Sequence, residues 1–223
     1  MTKQSKIFGM LAIVGLSAMM MISCGGGSGS VSSKKLAGNE VFGDLPNLVY
    51  QKHFSDSVLK VEQKAELGKL NPKSKSDWEK GSKIKEKFET REREEKAKYE
   101  AEIEKIKQQL VGKEIPFEVE EGAGFEITSC KISDVSRYGT VSIDCEAKIT
   151  DVATVKFSPF STVLKLEMLA IDKNGNQIIK DDMCHVSFPK VENGAIGKKT
   201  AGFYISKEFA DFAKVKFVNS VNN

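Results

Sequence analysis

Few side chains in this 223-residue chain are suited to metal binding or nucleophilic chemistry: four cysteines and two histidines stand among many scattered carboxylates. No two cysteines form a Cys-x-x-Cys pair, and only Cys184-His185 brings a thiol next to an imidazole. Neighbours on a strand point to opposite faces, so this pair predicts a buried thiol beside a surface histidine rather than two ligands. We therefore predict no catalytic residue, no metal site and no cofactor.

Cys24 ends an N-terminal segment with the pattern of an export signal. Two lysines precede an apolar run over 7–22, which is shorter than the roughly 20 residues of a membrane helix, and Ser23 precedes the cysteine. Charge, short apolar run and small residue in this order are typical of a cleaved signal peptide. Met21-Ile22-Ser23-Cys24 resembles the lipobox of bacterial lipoproteins. The resemblance implies that residues 1–23 are removed and that an acylated Cys24 holds the protein at a lipid bilayer.

Past the cysteine, composition divides the chain into three regions. The segment 24–43 starts with Cys24, which the lipobox resemblance implies is lipidated. The residues that follow are at first rich in Gly, Ser and Lys without periodicity, which predicts a flexible tether. Residues 44–112 repeat apolar side chains at spacings of three and four, as helices do. Residues 113–223 alternate apolar and polar side chains between turn residues, as strands do. We expect an α+β protein: a helical region, then an antiparallel immunoglobulin-like β-sandwich of about seven or eight strands.

The helical region predicts two helices separated by Gly68 and Asn71-Pro72. Asp44-Leu45-Pro46 has the features of a helix start, and Ser76 with Glu79 fits a capping box for the second helix. That helix is long and ends near Gly112, which suits a left-handed cap.

The middle of the second helix, residues 91–98, is almost wholly charged with both signs mixed. A coiled-coil seam is not sustained through it, so an antiparallel helical hairpin is favoured over a dimeric coiled coil. Because the basic residues alternate with acidic ones, no nucleic-acid-binding face is predicted. Phe54, Trp78 and Tyr99 are expected to pack in the helical region rather than to form a ligand cage.

A hairpin centred near Arg137-Tyr138 places Cys130 directly opposite Cys145, at a separation compatible with a disulfide. An oxidising envelope compartment allows one disulfide and one remaining thiol. The alternatives are a bond from one of these strands to Cys184 across two sheets, as in immunoglobulin domains, or no bond at all.

The segment Asp172-Lys173-Asn174-Gly175-Asn176 has the composition of a calcium loop and of a hairpin turn. A calcium loop of the helix-flanked kind needs Glu at its twelfth position, where this chain has Met183. Asn-Gly accepts the positive φ angles that tight hairpins require. We therefore predict a turn between two strands.

The whole chain carries a formal net charge of +3, and removal of 1–23 takes away two lysines. The nearly neutral mature protein gives no global argument for nucleic acid or anionic lipid headgroups as partners.

Over its whole length the chain resembles lipoproteins of Bacteroidota-type bacteria. The features that carry this resemblance are Ile22-Ser23-Cys24-Gly25, the charged helical middle, and the passage over 110–117 into the β region. The strand, turn and strand over 169–176 are similar to turns in telokin-like, immunoglobulin-fold accessory domains. In this group an acidic cluster just after the lipidated cysteine directs proteins to the cell surface. The first acid here is Glu40, so the resemblance implies an anchor facing the periplasm, with the cell surface as the alternative.

These observations together predict a non-enzymatic binding or adaptor module in the cell envelope, tethered to a membrane and bound to a protein partner. A glycan-binding module, or an accessory subunit of an envelope enzyme or transport complex, is the alternative. Exposed aromatic side chains on one sheet face would favour glycan binding.

Overall fold

The structure is a computed structural model that describes residue 36 and residues 38–157 and 162–219, without the side chains of 180–184. The signal peptide 1–23, the lipidation site Cys24 and most of the tether lie outside the described residues. The predictions for them therefore stay predictions.

Two helices precede seven strands in the described part of the chain. Their bounds are α1 Leu45–Leu67, α2 Lys75–Leu110, β1 Phe117–Val119, β2 Phe125–Val135, β3 Thr140–Ile149, β4 Val163–Asp172, β5 Gln177–Ser187, β6 Ile196–Tyr204 and β7 Phe212–Asn219. A 3-10 turn, Lys207–Asp211, stands between β6 and β7, where the sequence predicts a short helical turn. The α+β class is confirmed.

The chain divides into two compact units, which are described separately. The helical unit is Tyr50–Glu95, and the β unit comprises residues 38–49 and 96–219 of the described chain. Neither described helix has the length and apolarity of a membrane span.

In the helical unit, α1 ends before Gly68 as predicted, whereas α2 begins at Lys75. Its cap is Ser74, whose Oγ accepts a hydrogen bond from the Asp77 N–H at 3.3 Å. The capping box predicted at Ser76 is therefore wrong, because an N-cap hydroxyl accepts from the third helical residue and only Ser74 is placed to do so.

Side chains of α1 and α2 contact one another in this unit. The pairs are Ser55–Glu95, Glu62–Arg91 at 2.8 Å and Glu66–Lys87 at 2.8 Å. The buried apolar side chains among Tyr50–Glu95 are Leu59 and Phe88. Ion pairs this exposed contribute about 0–1 kcal/mol each. The helical unit therefore has a thin apolar core.

Trp78 is 73% exposed, so the prediction that it packs in the helical region is wrong. The apolar contact near the start of α2 is made instead at Gly81, where a Cβ would lie 3.4 Å from Leu70 Cδ1. Tyr99 does pack, but its side chain is buried in the core of the β unit and not in the helical unit.

The strands of the β unit form one sheet in the order β1-β7-β4-β5-β6-β3-β2. β1 runs parallel to β7, and the other pairs are antiparallel. The segment 112–119 also contacts β2 at the far end of this order: Gly112 N–H donates to Ile132 O at 2.8 Å, and Ile115 N–H donates to Cys130 O at 2.9 Å. One segment thus hydrogen-bonds to both β7 and β2, and the sheet is nearly barrel-shaped.

Alternation along β3 places its apolar face in the core, as predicted. Val141, Ile143, Cys145, Ala147 and Ile149 are all buried. Burying one large aliphatic side chain favours folding by about 1.5–3 kcal/mol. An aromatic cluster continues this core, formed by Phe42, Phe203, Phe209 and Phe212.

Residues 39–43, which composition assigns to the end of the tether, are part of this core. Phe42 is fully buried, and Asn39 Nδ2 donates to Phe212 O at 2.8 Å and to Ala210 O at 3.2 Å. Asn39 Oδ1 accepts from the N–H of Val41 and of Phe42, so every polar atom of this buried amide is satisfied.

Two strand boundaries differ from the prediction. β5 is one strand where the alternation of apolar and polar residues predicts two, over 177–180 and 183–188, because register shifts against β4 absorb the irregularity. β6 begins at Ile196, inside the segment 190–199 for which the polar composition predicts a loop, since β3 pairs with it as far as Lys148. The turn at Asn174-Gly175 is as predicted, with Gly175 at a φ of 83°.

Candidate partner-binding end of the sheet

The turn between β2 and β3, residues 136–139, presents Arg137 and Tyr138. Ser136 Oγ accepts hydrogen bonds from the N–H of Tyr138 at 3.2 Å and of Thr140 at 3.1 Å. Gly139 has a φ of 79°, and a Cβ at this position would lie 2.4 Å from Val49 Cγ2. Only glycine fits both the angle and the space, so the turn is fixed against the start of α1.

Two exposed tyrosines lie at this end of the sheet. Tyr138 is 63% exposed in the turn, and Tyr204, at the end of β6, is 48% exposed. Tyr204 pairs with Thr140 on β3, and Ile205 N–H donates to Gly139 O at 3.2 Å. Both tyrosines therefore belong to one end of the sheet.

The Arg137 side chain orders one of these tyrosines. Its guanidinium carbon lies 4.8 Å from the centroid of the Tyr138 ring, and Nη2 donates to Tyr138 Oη at 2.6 Å. We call Arg137, Tyr138 and Tyr204 the tyrosine end. Tyrosine and arginine are the residue types that, with tryptophan, most often dominate the energy of protein interfaces.

One edge of β6 is largely uncovered. Its pairing with β3 runs from Ile196 to Tyr204, whereas the described backbone pairs with β5 are limited to Ser187–Lys198. Between Lys199 and Phe203 the β5-facing edge of the strand makes no backbone pair with β5 among the described residues. A free edge of this kind can accept a strand of a partner protein.

The outer face of β2, β3 and β6 forms an open groove of about 730 Å³ that is lined by charged side chains. Thr200 Oγ1 donates to Asp144 Oδ1 at 2.6 Å, and Lys198 Nζ lies 2.8 Å from Glu146 Oε2. The Lys198 ammonium, with a hydrogen bond from Thr128, lowers the pKa of Glu146. Lys198 and Glu146 therefore neutralise each other on this face. The groove carries charges of both signs, so it is suited to polar contacts rather than to attraction of one sign of charge.

The predicted register of Cys130 and Cys145 is confirmed. The two residues are direct partners on β2 and β3, and their Sγ atoms lie 4.0 Å apart as two buried thiols. Cys130 C=O accepts from Ile115, away from β3, so this is a non-hydrogen-bonded pair, the kind in which opposed side chains come closest. The hydrogen bond between the thiols and burial raise the pKa of Cys145. A Cys130–Cys145 disulfide stays a prediction.

The backbone of Cys184 pairs with Leu166 on β4, and its side chain lies outside the described residues. Its neighbour His185 is exposed opposite Lys165, as the alternation predicted. Within the described ranges, no group of three or more His, Cys, Asp or Glu side chains could hold a metal ion.

Sequence reasoning missed the tyrosine end, although the signal for it was present. Tyr204 lies between Phe203 and Ile205 in the sequence, and neighbours on a strand point to opposite faces. The structure buries these two neighbours and exposes Tyr204. The pairing that brings it beside the turn of residues 136–139 joins strands far apart in sequence.

No protein-family model, curated protein or solved structure matches the chain. The class of protein is therefore argued from the geometry of the β unit and from the anchor motif.

Proposed function

We propose that the chain is a non-enzymatic, membrane-tethered lipoprotein of a bacterial envelope that binds a protein partner and acts as an adaptor. Its anchor is the acylated Cys24, and its folded part faces the periplasm. The observation that carries the partner site is the tyrosine end beside the uncovered edge of β6. Rigid aromatic side chains next to free backbone groups are what a strand-adding partner needs for affinity and register.

We further propose that the folded part consists of a helical hairpin followed by an immunoglobulin-like β-sandwich. The contacts between α1 and α2 support the hairpin. Contacting residues with higher numbers on α1 pair with residues of lower numbers on α2, as in two antiparallel helices. The short described pairing between β5 and β6, at Ser187–Lys198, supports a division into two packed layers. In the strand order, β1, β7, β4 and β5 lie on one side of this pairing, and β6, β3 and β2 on the other.

The anchor is tested in the producing cell. Metabolic labelling with palmitate marks the protein, mass spectrometry places the mature N-terminus at Cys24, and Cys24→Ala releases the protein from membranes. The proposed lipid anchor is contradicted if the wild-type protein takes up no palmitate, or if the Cys24→Ala variant still pellets with membranes.

The partner site is tested by photo-crosslinking from single positions in intact envelopes. A photoreactive residue at Tyr138 or Tyr204 yields the same covalent adduct. The matched control is Ile196, which is 46% exposed at the other end of β6 and yields no such adduct. Arg137→Ala weakens the adduct formed from position 204, because it removes the stacking that orders Tyr138.

The proposed site is contradicted if photoreactive residues at positions 138 and 204 yield only uncrosslinked protein. It is also contradicted if position 196 yields the same adducts in equal amount. The proposal also fails if the adduct forms but survives Tyr138→Ala combined with Arg137→Ala. These outcomes are independent of the Cys24 test, since a tethered protein with no partner still carries palmitate.

The exposed tyrosines also favour the second candidate function, glycan binding. Aromatic rings present an apolar face with a polar tip, which suits a sugar ring as well as a peptide. Soluble cell-wall glycan fragments that quench the crosslink at Tyr138 and protect both tyrosines from chemical modification would favour this function over the adaptor.

A further inference from the structure

Positive charge is concentrated where α1 turns into α2. We call residues 68–85 the basic turn; they hold six lysines and two carboxylates, Asp77 and Glu79. The whole chain has a formal charge of only +3, so the remaining residues are close to neutral. The total charge therefore hides a local cluster.

The lysines of the basic turn are mostly not neutralised. Lys80 pairs with Asp77 at 2.8 Å, and Asp77 Oδ2 also accepts from the Asn71 N–H at 3.0 Å. The exposed lysines that make no ion pair with any described residue are Lys69, Lys73, Lys75, Lys83 and Lys85. Farther along the same helices, Lys52 and Lys87 do have acidic partners.

The same turn exposes the largest apolar side chain of the chain. Trp78 is the single tryptophan, and it is 73% exposed, more than any other large apolar residue described. Tryptophan favours the boundary between water and hydrocarbon, where its ring is buried and its N–H stays hydrated. Lysines around such a residue favour a surface with anionic headgroups.

We propose that the basic turn docks on an anionic phospholipid surface, with Trp78 entering the headgroup boundary and the unpaired lysines facing lipid phosphates. Each lysine near such a surface strengthens binding by about fivefold. A soluble polyanion would satisfy the lysines but not the indole, which is why a lipid surface fits both observations. This contact goes beyond the proposed function and does not depend on Cys24.

The test uses tryptophan fluorescence of the full chain, which reports on position 78 alone because no other tryptophan is present. The protein is reconstituted with vesicles of phosphatidylcholine, without or with added phosphatidylglycerol. The emission moves to shorter wavelength, and brominated lipid quenches it, in the anionic vesicles only. Added salt reverses the shift, because surface charges are screened.

Two triple variants with the same change in charge separate a local effect from a global one. K73Q/K75Q/K83Q lowers the ratio of docked to undocked protein on the order of 100-fold. K105Q/K148Q/K198Q removes three exposed lysines that are ion-paired in the β unit and leaves the shift in place. Circular dichroism confirms that both variants keep their helices.

The same tryptophan emission wavelength in neutral and anionic vesicles overturns the inference. An equal loss of docked protein in the two triple variants also overturns it. An equal shift with dextran sulfate and no lipid assigns the turn to a soluble polyanion and overturns the lipid surface. Flotation of the protein with the vesicles is measured in parallel: flotation without a shift refutes this contact and leaves the Cys24 anchor standing.

Discussion

The two units of this protein use charge and apolar surface in opposite ways. In the β unit most large apolar side chains are inside, and several lysines of the sheet surface lie beside carboxylates, as Lys198 does beside Glu146. In the helical unit the only buried apolar residues described are Leu59 and Phe88. Trp78 is outside, and five of the six lysines around it make no ion pair with a described residue.

This difference indicates a division of roles. A sheet with a large buried core and several surface ion pairs stays folded without a partner, and it can hold the tyrosine end rigidly. In the turn between the two helices, lysines without ion pairs and an exposed indole can bind a surface outside the protein. Regions of low local stability often supply such contacts.

The largest effect is expected from a core truncation in the β unit, and the matched truncation in the helical unit is expected to cost less. Phe209 is fully buried against three other phenylalanine rings, so Phe209→Ala should cost about 3–5 kcal/mol of unfolding free energy. Leu59→Ala should cost about 2 kcal/mol or less, because few apolar neighbours surround that side chain. Urea denaturation measures both values, and hydrogen exchange locates them: faster exchange confined to α1 and α2 is expected for Leu59→Ala only. Equal costs would break the distinction between the two cores.

A smaller effect is expected at Gly139, which fixes the turn of the tyrosine end. Gly139→Ala adds a Cβ 2.4 Å from Val49 Cγ2 and forces alanine to a positive φ, which together should cost about 2–4 kcal/mol. Gly175→Ala is the matched control, because its φ is 83° and nothing lies within 4 Å of the added Cβ; about 1 kcal/mol is expected. If the two variants have the same denaturation midpoint, close packing of Gly139 against Val49 does not stabilise the turn of residues 136–139.

The features predicted correctly from sequence are local. The pairing of Cys130 with Cys145 follows from period-two alternation on both sides of a short turn, and Asn174-Gly175 selects its turn through backbone angles alone. The helix ends at Leu67 and Leu110 follow from Gly68 and Gly112, which come one and two residues later.

The features that were missed depend on residues distant in sequence. Asn39 is held by carbonyls of Ala210 and Phe212, and no pattern within residues 24–43 records that contact. The strand order likewise depends on pairs such as β3 with β6. The exposure of Trp78 was missed because composition places an aromatic residue inside by default, whereas Leu70 approaches Gly81 and occupies the apolar contact there.

The smallest effect is expected from the surface charges of the β unit when the pH falls. Hydrogen bonds from Lys214 lower the pKa of Glu118, and the Lys107 ammonium lowers that of Asp134. A carboxyl whose pKa is lower in the folded state stabilises the fold above its unfolded pKa of about 4, and this contribution is lost as the pH falls through the folded value. Glu118→Gln should therefore cost less than about 1 kcal/mol at neutral pH and nothing at strongly acidic pH.

Urea midpoints of the wild-type protein and of Glu118→Gln, measured from neutral to acidic pH, check this expectation. The control is Glu121→Gln, since Glu121 is exposed and makes no ion pair with the described residues. The curves of wild type and Glu118→Gln should converge on acidification, whereas those of wild type and the control should coincide throughout. If Glu118→Gln instead lowered stability equally at every pH, its side chain would act through packing rather than charge. Charge satisfaction would then not distinguish the sheet surface from the basic turn.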